Sequence, residues 1–447
     1  MKAPKLSWSD LAGARVGVWG LGRDGQASLR KLRELGVEPV LVDDQPPSAA
    51  GGAPADRPVL ATADGGLDAL ERCDVVVKTP GISRYRPEVA RLSGLGIAVV
   101  GGLGLWLAEA DLRRVLCVTG TKGKSTTSSV TGHLLAGLGY RCMVGGNIGT
   151  APYDPAEAGD FDYWVIEVSS YQATDLPCSP PVVAVTSLHP DHLDWHGGVE
   201  QYYRDKLSAC SRPGAELTVA NGDSDLLRER AALLGPRVEL VGEDDDPGSA
   251  WMEPLGLPGR HNRRNALIAR RCLVALGVPG AGDDAALRTA AAGYQPLPSR
   301  LTPVGTAGGV TFVDDSLSTN VLPTLAALDS FPGCRIALIV GGHDRGIDYA
   351  SLAADVVARS APTYVLTLPD SGPRIRVEIE QAAGQGEPAS FAGVTDCPDL
   401  AAAVAAGFRW AQPDGIVLLS PAAPSFGRFK DYRDRGEAFA REVRRLT

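Results

Sequence analysis

A glycine-rich segment between a buried strand and a helix constrains this chain more strongly than any other part of its sequence. The β-branched and apolar residues 115–119 predict a buried parallel strand, which leads into Gly120-Thr121-Lys122-Gly123-Lys124-Ser125-Thr126. Residues 128–138 then carry apolar side chains at helical spacing. A strand, a glycine turn and a helix start form a phosphate cradle, because backbone N–H groups approach the phosphate oxygens and the helix N-terminus adds partial positive charge.

The motif predicts a nucleoside triphosphate site, with one departure from the usual spacing. Two residues separate Gly120 from Gly123-Lys124-Ser125, fewer than in the common phosphate loop. In such a loop the lysine reaches the β- and γ-phosphates and the serine hydroxyl binds Mg²⁺. The alternative is a glycine turn that only starts a helix, and the motif alone does not specify the reaction.

Composition limits the class of protein. A length of 447 residues suggests about three domains. Hydrophobic residues at 44% and charged residues at 22% are typical of a soluble globular protein. The net charge of −9 argues against a general nucleic-acid binder, but it leaves an anionic small-molecule substrate open.

The cysteines and the apolar segments indicate the compartment. The eight cysteines are scattered without a Cys-x-x-Cys pair and predict reduced thiols in a cytosolic protein. The first residues lack the apolar core of a signal peptide, and no apolar stretch reaches the roughly 18 residues of a membrane span. We therefore expect a cytoplasmic protein with no membrane or nucleic-acid partner, and we expect a monomer.

The first third of the chain predicts a βαβ unit. A strand over 15–20 leads into Gly20-Leu21-Gly22-Arg23-Asp24-Gly25 and a helix over 26–35, and the next strand ends at Asp43. A glycine loop with an acidic residue some 20 positions further on is typical of dinucleotide binding. Nicotinamide dinucleotide and uridine diphosphate both fit this pattern, and plain structural turns are the third alternative.

A further strand over 74–77 leads into a tight turn that contains Thr79 and Gly81. Ligands of open α/β sheets bind in the crevice at the carboxyl ends of the strands. The turn is therefore a second candidate element of the same ligand site.

Acidic and histidine residues follow the later strands of the middle third. Glu167 ends a buried strand downstream of the phosphate loop, where an acidic residue holds Mg²⁺ or, alternatively, caps the next turn. Segment 188–197 contains His189, His192 and His196, a cluster that favours metal or phosphate chemistry. The spacing is not that of a zinc site.

Two helices in the middle third carry polar candidates. Lys206 lies in a helix over 199–210 and, considered alone, is an ordinary solvated lysine. Asn262 and Asn265 lie three positions apart on one face of a later helix, where they could bind a base edge or cap the helix.

Strands and helices alternate again in the last third, with polar residues at the strand ends. The predicted strands are 310–313, 335–340, 363–368 and 415–419. The sequence therefore predicts an α/β protein of three domains. These are a Rossmann-like N-terminal domain (1–112), a central phosphate-loop ATPase-like parallel sheet (113–298) and a Rossmann-like C-terminal domain (299–447).

Seven motifs in this order resemble those of the Mur ligases, the ATP-dependent amide-forming enzymes of peptidoglycan precursor synthesis, over essentially the whole chain. The motifs are Gly120–Thr126, Gly146–Gly149, Glu167–Gln172, Asp191–Asp194, His261–Asn265, Asp315–Asn320 and Leu419–Phe426. The short first domain and the ending Ser-Pro-x-x-x-Ser-Phe resemble the MurD type, which adds glutamate to UDP-N-acetylmuramoyl-L-alanine.

The resemblance implies an ATP site, two Mg²⁺ sites and a carbamylated lysine. It implies ATP contacts at Gly120, Thr121, Lys122, Gly123, Lys124, Ser125, Thr126, Asn262, Asn265, Arg300 and Asp315. It implies metal ligands at Ser125, Glu167, His192 and, once carbamylated, Lys206. Lys124, His192 and Lys206 are the residues it implies for catalysis. Carbamylation turns the amine into an anionic oxygen donor, which Mg²⁺ prefers.

The resemblance also implies the two substrate sites and the reaction. The residues implied for UDP-N-acetylmuramoyl-L-alanine are Arg23, Asp24, Asp43, Thr79, Gly81 and Asn147. Our hypothesis for the glutamate pocket is Thr319, Arg345, Ser425 and Tyr432. A substrate carboxylate would become an acyl phosphate, and the glutamate amine would then displace phosphate.

Two positions depart from the pattern of ligases that add D-glutamate. Leu317 and Arg345 stand where that pattern has lysines. An apolar Leu317 removes a charged contact, and the Arg345 guanidinium keeps the charge but binds carboxylates with a different geometry. We therefore favour the branch that adds L-glutamate, followed by a separate epimerase that acts on the product. The alternatives are addition of D-glutamate, a folylpolyglutamate synthase-like ligase, and a non-catalytic phosphate-loop switch.

Overall fold

The computed structural model describes residues 6–46, 58–246, 250–384 and 390–446. The described residues form two compact units. The first unit runs up to Leu255 and includes Arg264–Tyr294, and the second comprises Gly256–Arg263 and the residues from Gln295 onward. The first unit contains two parallel sheets and the second contains one mixed sheet, so the predicted α/β class is confirmed.

The first sheet is entirely parallel, with strand order β3-β2-β1-β4-β5. Its strands are β1 (Val16–Trp19), β2 (Val40–Asp43), β3 (Val59–Ala61), β4 (Val75–Lys78) and β5 (Ala98–Gly101). Its helices are α1 (Arg23–Glu34), α2 (Gly66–Leu70), α3 (Pro87–Gly94) and α4 (Gly102–Glu109). The strand order reverses at β1, so the crevice between the ends of β1 and β4 is the expected ligand position.

The second sheet is also entirely parallel, with strand order β11-β10-β9-β6-β8-β7. Its strands are β6 (Val115–Thr119), β7 (Cys142–Gly146), β8 (Tyr163–Glu167), β9 (Val182–Val185), β10 (Leu217–Asn221) and β11 (Val238–Val241). The helices of this part of the chain are α5 (Lys124–Gly137), α6 (Ser170–Ala173), α7 (Leu193–His196), α8 (Val199–Leu207), α9 (Asp225–Glu229), α10 (Arg260–Ala275) and α11 (Asp284–Ala291).

The third sheet has strand order β12-β13-β17-β14-β15-β16, with β12 antiparallel to β13 and all other pairs parallel. Its strands are β12 (Thr302–Ala307), β13 (Val310–Asp314), β14 (Ile336–Val340), β15 (Thr363–Thr367), β16 (Phe391–Asp396) and β17 (Ile416–Leu419). Its helices are α12 (Val321–Asp329), α13 (Ala350–Ala358), α14 (Gly372–Ala383), α15 (Leu400–Ala411) and α16 (Tyr432–Arg444).

Continuous apolar runs explain why the central strands were predictable from the sequence. In β6, β9, β14 and β17 every residue is buried, because helices cover both faces of a parallel sheet. The sequence analysis did not predict the strands β3, β5, β7, β11, β12 and β16. All six of these strands lie at sheet edges. The edge strand β12 also contains Pro303 and Gly305, which a central strand would not tolerate.

Three predicted helices have different bounds in the structure. The helix predicted over 26–35 begins at Arg23, and the helix predicted over 128–138 begins at Lys124. Both therefore start directly after their glycine loops. The helix predicted over 199–210 ends at Leu207 and continues as a single 3-10 turn over Ser208–Ser211.

One hydrophobic cluster joins the first two sheets within their unit. It extends from Leu32 on α1 to Leu207 on α8, and the rings of Trp8 and Tyr153 lie 5.0 Å apart within it. A shared core of this kind fixes the two sheets to each other, because close-packed interiors resist small displacements.

The cysteines agree with the expectation from the sequence. All eight cysteines are free, as predicted, and six of them are buried. Among the described residues, none of the helices combines the length and apolar character needed to cross a bilayer.

Candidate active site

The carboxyl ends of three neighbouring strands meet at one edge of the second sheet. Val118 on β6 pairs with Glu167 on β8 and with Ala184 on β9. Gly120 and Thr186 therefore follow their strands at one level, two residues beyond the level of Glu167. The phosphate loop, the predicted magnesium ligand and the chain after β9 share this edge.

Backbone contacts hold the phosphate loop in its shape. Gly120 and Gly123 have φ angles of +135° and +89°, a region that favours glycine. The Thr121 N–H donates to the Ser187 carbonyl oxygen at 2.9 Å, and the Lys122 N–H donates to Ser187 Oγ at 2.8 Å. Both glycines also lack space for a side chain. A Cβ on Gly120 would lie 2.2 Å from Thr186 Oγ1.

Three lysines converge on the loop. Lys124 Nζ donates to the carbonyl oxygens of Gly120 and Thr121 at 2.9 and 3.1 Å, and Lys206 Nζ donates to the Gly120 oxygen at 3.0 Å. Lys122 Nζ lies 3.5 Å from Asp191 Oδ2. Burial, and then the charge of Lys124, hold the pKa of Lys206 well below its usual value. Lys206 is therefore not the solvated helix lysine that its position in the sequence indicated.

Glu167 carries a buried oxygen that fits a metal ion. Its side chain is 1% exposed, and Oε1 accepts from Asn147 Nδ2 at 2.6 Å. Oε2 has no hydrogen-bond partner among the described residues. A buried carboxylate oxygen without a partner is costly, and Mg²⁺ coordination is one way to satisfy it.

The histidines of the 188–197 segment have different surroundings. His192 has a left-handed backbone (φ 52°), and its side chain is half exposed beside Asp191. Burial lowers the pKa of His192, against the raising effect of the Asp191 charge. His196 is buried, with Nδ1 2.6 Å from Asp205 Oδ2 and Nε2 2.9 Å from Ser170 Oγ. His196 is thus committed to contacts within the protein, whereas the His192 ring is partly exposed at this edge.

Among the described residues, protein side chains alone do not complete a metal site. Within the described ranges, no three His, Cys, Asp or Glu side chains lie together in a way that could hold an ion. Mg²⁺ in phosphoryl-transfer sites is commonly held by one or two carboxylates together with substrate phosphates and water. The unpartnered Glu167 oxygen beside a phosphate loop fits that coordination.

The residues predicted to bind a uridine diphosphate lie at the ends of β1, β2 and β4. Asp43 Oδ2 accepts from the N–H of Leu21 at 2.7 Å, which ties the acidic residue to the first glycine loop. The Thr79 N–H donates to the Trp19 oxygen at 2.9 Å, and Thr79 packs where a Cβ on Gly20 would lie. Gly81 is exposed in the turn after β4.

Arg23 connects this ligand crevice to the second sheet. Its guanidinium donates to the carbonyl oxygens of Gly146 at 2.8 Å and Gly149 at 3.0 Å, and it pairs with Asp24 at 3.0 Å. The Asn147 side chain, in the same loop, reaches Glu167. The loop after β7 therefore contacts both the first-sheet crevice and the predicted magnesium ligand.

A buried acid lies at the carboxyl edge of the third sheet. Asp315 accepts from Ser420 Oγ at 2.7 Å, from the N–H of Leu301 at 3.2 Å and from Ser318 Oγ. Burial raises its pKa from 3.8 to about 7, against the lowering effect of these donors. Arg300, also predicted to bind the nucleotide, precedes Leu301 and is half-buried.

The residues predicted for the glutamate pocket follow strands of the third sheet, three of them on loops and one at the start of α16. Arg345, after β14, is exposed with its guanidinium carbon 5.4 Å from the centroid of the Phe426 ring, and Ser425 is buried. Thr319, after β13, and Tyr432, which begins α16, are half-buried. The contact between Arg345 and Phe426 thus links the loop after β14 to the loop that contains Ser425.

The two asparagines of α10 have different surroundings. Asn262 is buried, and its Nδ2 donates to the Pro258 oxygen at 2.8 Å. Asn265 is also buried and lies against the phosphate loop, because a Cβ on Gly123 would be 2.8 Å from its Oδ1. Asn265 is therefore adjacent to the predicted nucleotide site.

The sequence analysis missed three side chains at these sites. Arg435 on α16 is fully buried, and its Nη2 donates to the oxygens of Ser316 and Ala423 at 2.8 and 3.0 Å. Tyr85 and Asp205 form a contact between the first sheet and α8. In the sequence, the one feature that could have indicated Asp205 is its position next to Lys206.

Comparison with known proteins decides the family. The Mur ligase middle domain matches residues 118–273, and the Mur ligase glutamate ligase domain matches residues 299–423. The chain belongs to the Mur ligase family. Members of this family are ATP-dependent ligases, so the predicted resemblance is confirmed.

Two relatives are similar along nearly their whole length. The chain is 41% identical to a UDP-N-acetylmuramoyl-L-alanine–L-glutamate ligase from a Micromonospora strain, with 98% of each chain covered. It is 38% identical to the ligase of the same name from Xanthomonas axonopodis pv. citri, with 97% of this chain and 95% of the relative covered.

Solved structures extend the likeness to the fold. UDP-N-acetylmuramate–alanine ligase from Thermotoga maritima has a TM-score of 0.57 at 17% identity, with 97% of this chain and 100% of that chain covered. Folylpolyglutamate synthase from Mycobacterium tuberculosis has a TM-score of 0.50 at 16% identity, with 73% of this chain and 92% of that chain covered. The Mur ligase fold thus extends over nearly the whole chain.

Substitution of Gly120 by alanine tests the phosphate loop of this Mur ligase. Its Cβ would meet Thr186 Oγ1 and distort the loop, so we expect affinity for ATP, measured by calorimetry, to fall at least about tenfold. Gly139→Ala is the matched control, because Gly139 also has a positive φ (+92°) but an open Cβ position. Wild-type ATP affinity in Gly120→Ala would contradict the assignment.

The buried Asp315 predicts a pH dependence of stability. Its pKa is about 7 in the folded chain and 3.8 in the reference state, so folding takes up a proton between these values. The contribution of Asp315 to the free energy of unfolding is fully present below pH 3.8, and it is lost as the pH rises through about 7. We expect wild type to lose more unfolding free energy than Asp315→Asn between pH 5 and 8. Equal slopes in urea titrations would contradict the raised pKa.

Proposed function

We propose that this Mur ligase joins L-glutamate to UDP-N-acetylmuramoyl-L-alanine in an ATP-dependent step of peptidoglycan precursor synthesis. The observation that carries the choice of substrates is the full-length similarity to ligases named for this reaction. The observation that carries the chemistry is the phosphate loop at the same strand edge as the unpartnered Glu167 oxygen.

The phosphate loop is proposed to bind the ATP phosphates. The backbone N–H groups of residues 123–126, at the start of α5, would face the β- and γ-phosphates, where the helix N-terminus adds positive charge. Lys124 would leave the carbonyl oxygens it now contacts and follow the transferred phosphoryl group. Asn262, Asn265, Arg300 and Asp315 are the proposed contacts to the rest of the nucleotide.

Two magnesium sites are proposed beside the loop. Ser125 and Glu167 would hold the first ion, and His192 with carbamylated Lys206 would hold the second. Bound Mg²⁺ offsets repulsion between phosphate oxygens and the charge that develops during transfer. The buried, uncharged form of the Lys206 amine can add CO₂ with loss of a proton, and the resulting carbamate supplies an anionic oxygen donor.

The reaction proceeds in two steps in this proposal. A carboxylate oxygen of UDP-N-acetylmuramoyl-L-alanine attacks the γ-phosphorus of ATP, the bond to the β-phosphate oxygen breaks, and ADP leaves. The deprotonated amine of glutamate then attacks the acyl carbon, and the tetrahedral intermediate expels inorganic phosphate to leave the amide. The loop, the lysines and the ions contribute positioning and charge stabilisation.

The first sheet is proposed to bind the uridine diphosphate portion of the substrate. Arg23, Asp24, Asp43, Thr79 and Gly81 follow the strands at its switch point, and Asn147 would hold the muramoyl portion. Residues 1–112 would then form the substrate domain, 113–298 the ATP domain and 299–447 the glutamate domain. The Arg23 contacts to the loop after β7 support a continuous site for an elongated substrate.

The third sheet is proposed to select glutamate. Arg345 would form a bidentate pair with a glutamate carboxylate, and Thr319, Ser425 and Tyr432 would complete the pocket. Leu317 leaves that pocket without the lysine of ligases that add D-glutamate. This loss of a charged contact supports the L-enantiomer, and a separate epimerase would then invert the product.

The remaining proposals concern the state of the protein in the cell. We propose a cytoplasmic monomer, and the free thiols of all eight cysteines support a reducing compartment. A folylpolyglutamate synthase-like activity is a weaker alternative, because the likeness to that enzyme covers only 73% of the chain.

A phosphate-release assay tests the proposed function. The purified chain receives ATP, Mg²⁺, UDP-N-acetylmuramoyl-L-alanine and either L- or D-glutamate. We expect acceptor-dependent phosphate release with L-glutamate and at least about 100-fold less with D-glutamate, since a misoriented carboxylate loses charged hydrogen bonds. Turnover with D-glutamate alone would contradict the choice of enantiomer, and no turnover with either would contradict the substrate assignment.

Arg345→Lys is the matched variant in that assay. It keeps the positive charge but removes the forked pair of donors, so KM for L-glutamate should rise about 10- to 100-fold while KM for ATP stays within about twofold. An unchanged KM together with unchanged preference between the enantiomers would remove Arg345 from the glutamate pocket.

A further inference from the structure

A hydrogen-bonded network surrounds the residue next to Lys206. The Asp205 carboxylate is buried and accepts from Tyr85 OH at 2.7 and 2.8 Å and from Gln201 Nε2 at 2.9 Å. Asp205 Oδ2 also lies 2.6 Å from His196 Nδ1, and the other ring nitrogen lies 2.9 Å from Ser170 Oγ. The proposed reaction uses none of these side chains directly.

The network fixes the rotation of α8. Successive residues of an α-helix point about 100° apart, so Asp205 and Lys206 face different sides of α8. Holding Asp205 on one side directs Lys206 Nζ toward the phosphate loop, where it donates to the Gly120 oxygen at 3.0 Å. Tyr202 OH adds a second contact on the loop side, 2.9 Å from Thr121 Oγ1. The helix is therefore held from both sides.

Tyr85 brings the first sheet into this network. It lies in the chain after β4, shortly beyond Thr79 and Gly81. The neighbouring Ser83 Oγ donates to the Trp195 oxygen at 3.4 Å, and the Arg84 guanidinium donates to the Thr174 oxygen. The segment that is proposed to bind the uridine diphosphate portion thus rests directly on the helices of the second sheet.

The hydroxyl of Tyr85 has a role that packing of its ring does not explain. The ring meets Trp195 edge-on at 5.9 Å, and this contact needs no hydroxyl. The hydroxyl instead approaches both oxygens of one buried carboxylate. Burial, and then Asp205, raise the pKa of Tyr85 to about 12, so the phenol stays a donor. A buried carboxylate that loses such a donor is destabilised and changes its position.

We propose that Asp205, held by Tyr85 and His196, is the positioning residue that orients Lys206 for carbamylation and metal binding. This inference rests on the proposed function, because it takes Lys206 to be carbamylated. Groups that orient a metal ligand in this way typically change metal affinity or activity by about 10- to 100-fold when they are removed.

The test compares Tyr85→Phe, Asp205→Asn and the double variant in the full-length protein. The carbamate carbon of Lys206 is observed by NMR after equilibration with ¹³C-bicarbonate, and Lys206→Ala gives the spectrum without this resonance. We expect Asp205→Asn to lose most of the carbamate resonance and Tyr85→Phe to lose part of it. The double variant should match Asp205→Asn, because both substitutions break the same contact.

A kinetic readout accompanies the spectrum. We expect kcat of Asp205→Asn to fall about 10- to 100-fold, KM for ATP to stay within about twofold, and excess bicarbonate to restore part of the activity. Tyr364→Phe is the matched control, since it removes a hydroxyl bonded to Thr395 at 2.7 Å in the other unit. That variant should keep both the resonance and kcat.

A purely structural role would give a different result. Asp205→Asn would then lower the melting temperature but keep the carbamate resonance and kcat below that temperature, and the proposal would be overturned. Absence of the resonance in wild type would also overturn it. Because the spectrum needs no glutamate, the comparison decides this inference even if the ligase assay fails.

Discussion

The structure depends on the alignment of β6, β8 and β9, whose carboxyl ends reach one edge of the second sheet. Parallel pairing places Gly120 and Thr186 at one level, with Glu167 two residues before that level on the neighbouring strand. The chain after β9 then holds the phosphate loop through Ser187. The roles proposed for the phosphate loop and for Glu167 depend on that register, because a shift of one residue would turn Glu167 to the other face.

Burial determines the chemistry of the groups at this edge. Lys206 lies beside Lys124 in a dry setting that disfavours a further positive charge, while Glu167 keeps an oxygen without a partner among the described residues. Both arrangements cost stability in isolation. Both would be explained if a nucleotide, metal ions and CO₂ completed the site, so these groups support the position proposed for the reaction.

Local sequence patterns predicted the central strands, the glycine loops and the strand-end residues, because each is encoded by a short stretch of neighbouring residues. They did not predict β12, whose Pro303 and Gly305 are tolerated only at an edge. They also missed the contact between Tyr85 and Asp205, which lie 120 positions apart. Such a contact depends on how two sheets share one core, and no local periodicity records it.

The most direct test of the account follows oxygen through the reaction. UDP-N-acetylmuramoyl-L-alanine labelled with ¹⁸O at both carboxylate oxygens is incubated with the protein, ATP, Mg²⁺ and L-glutamate, and the released phosphate is analysed by mass spectrometry. An acyl phosphate requires one ¹⁸O atom in each phosphate and one in each amide. Unlabelled phosphate would show that ATP is cleaved by water, and would contradict the ligase mechanism derived from this site.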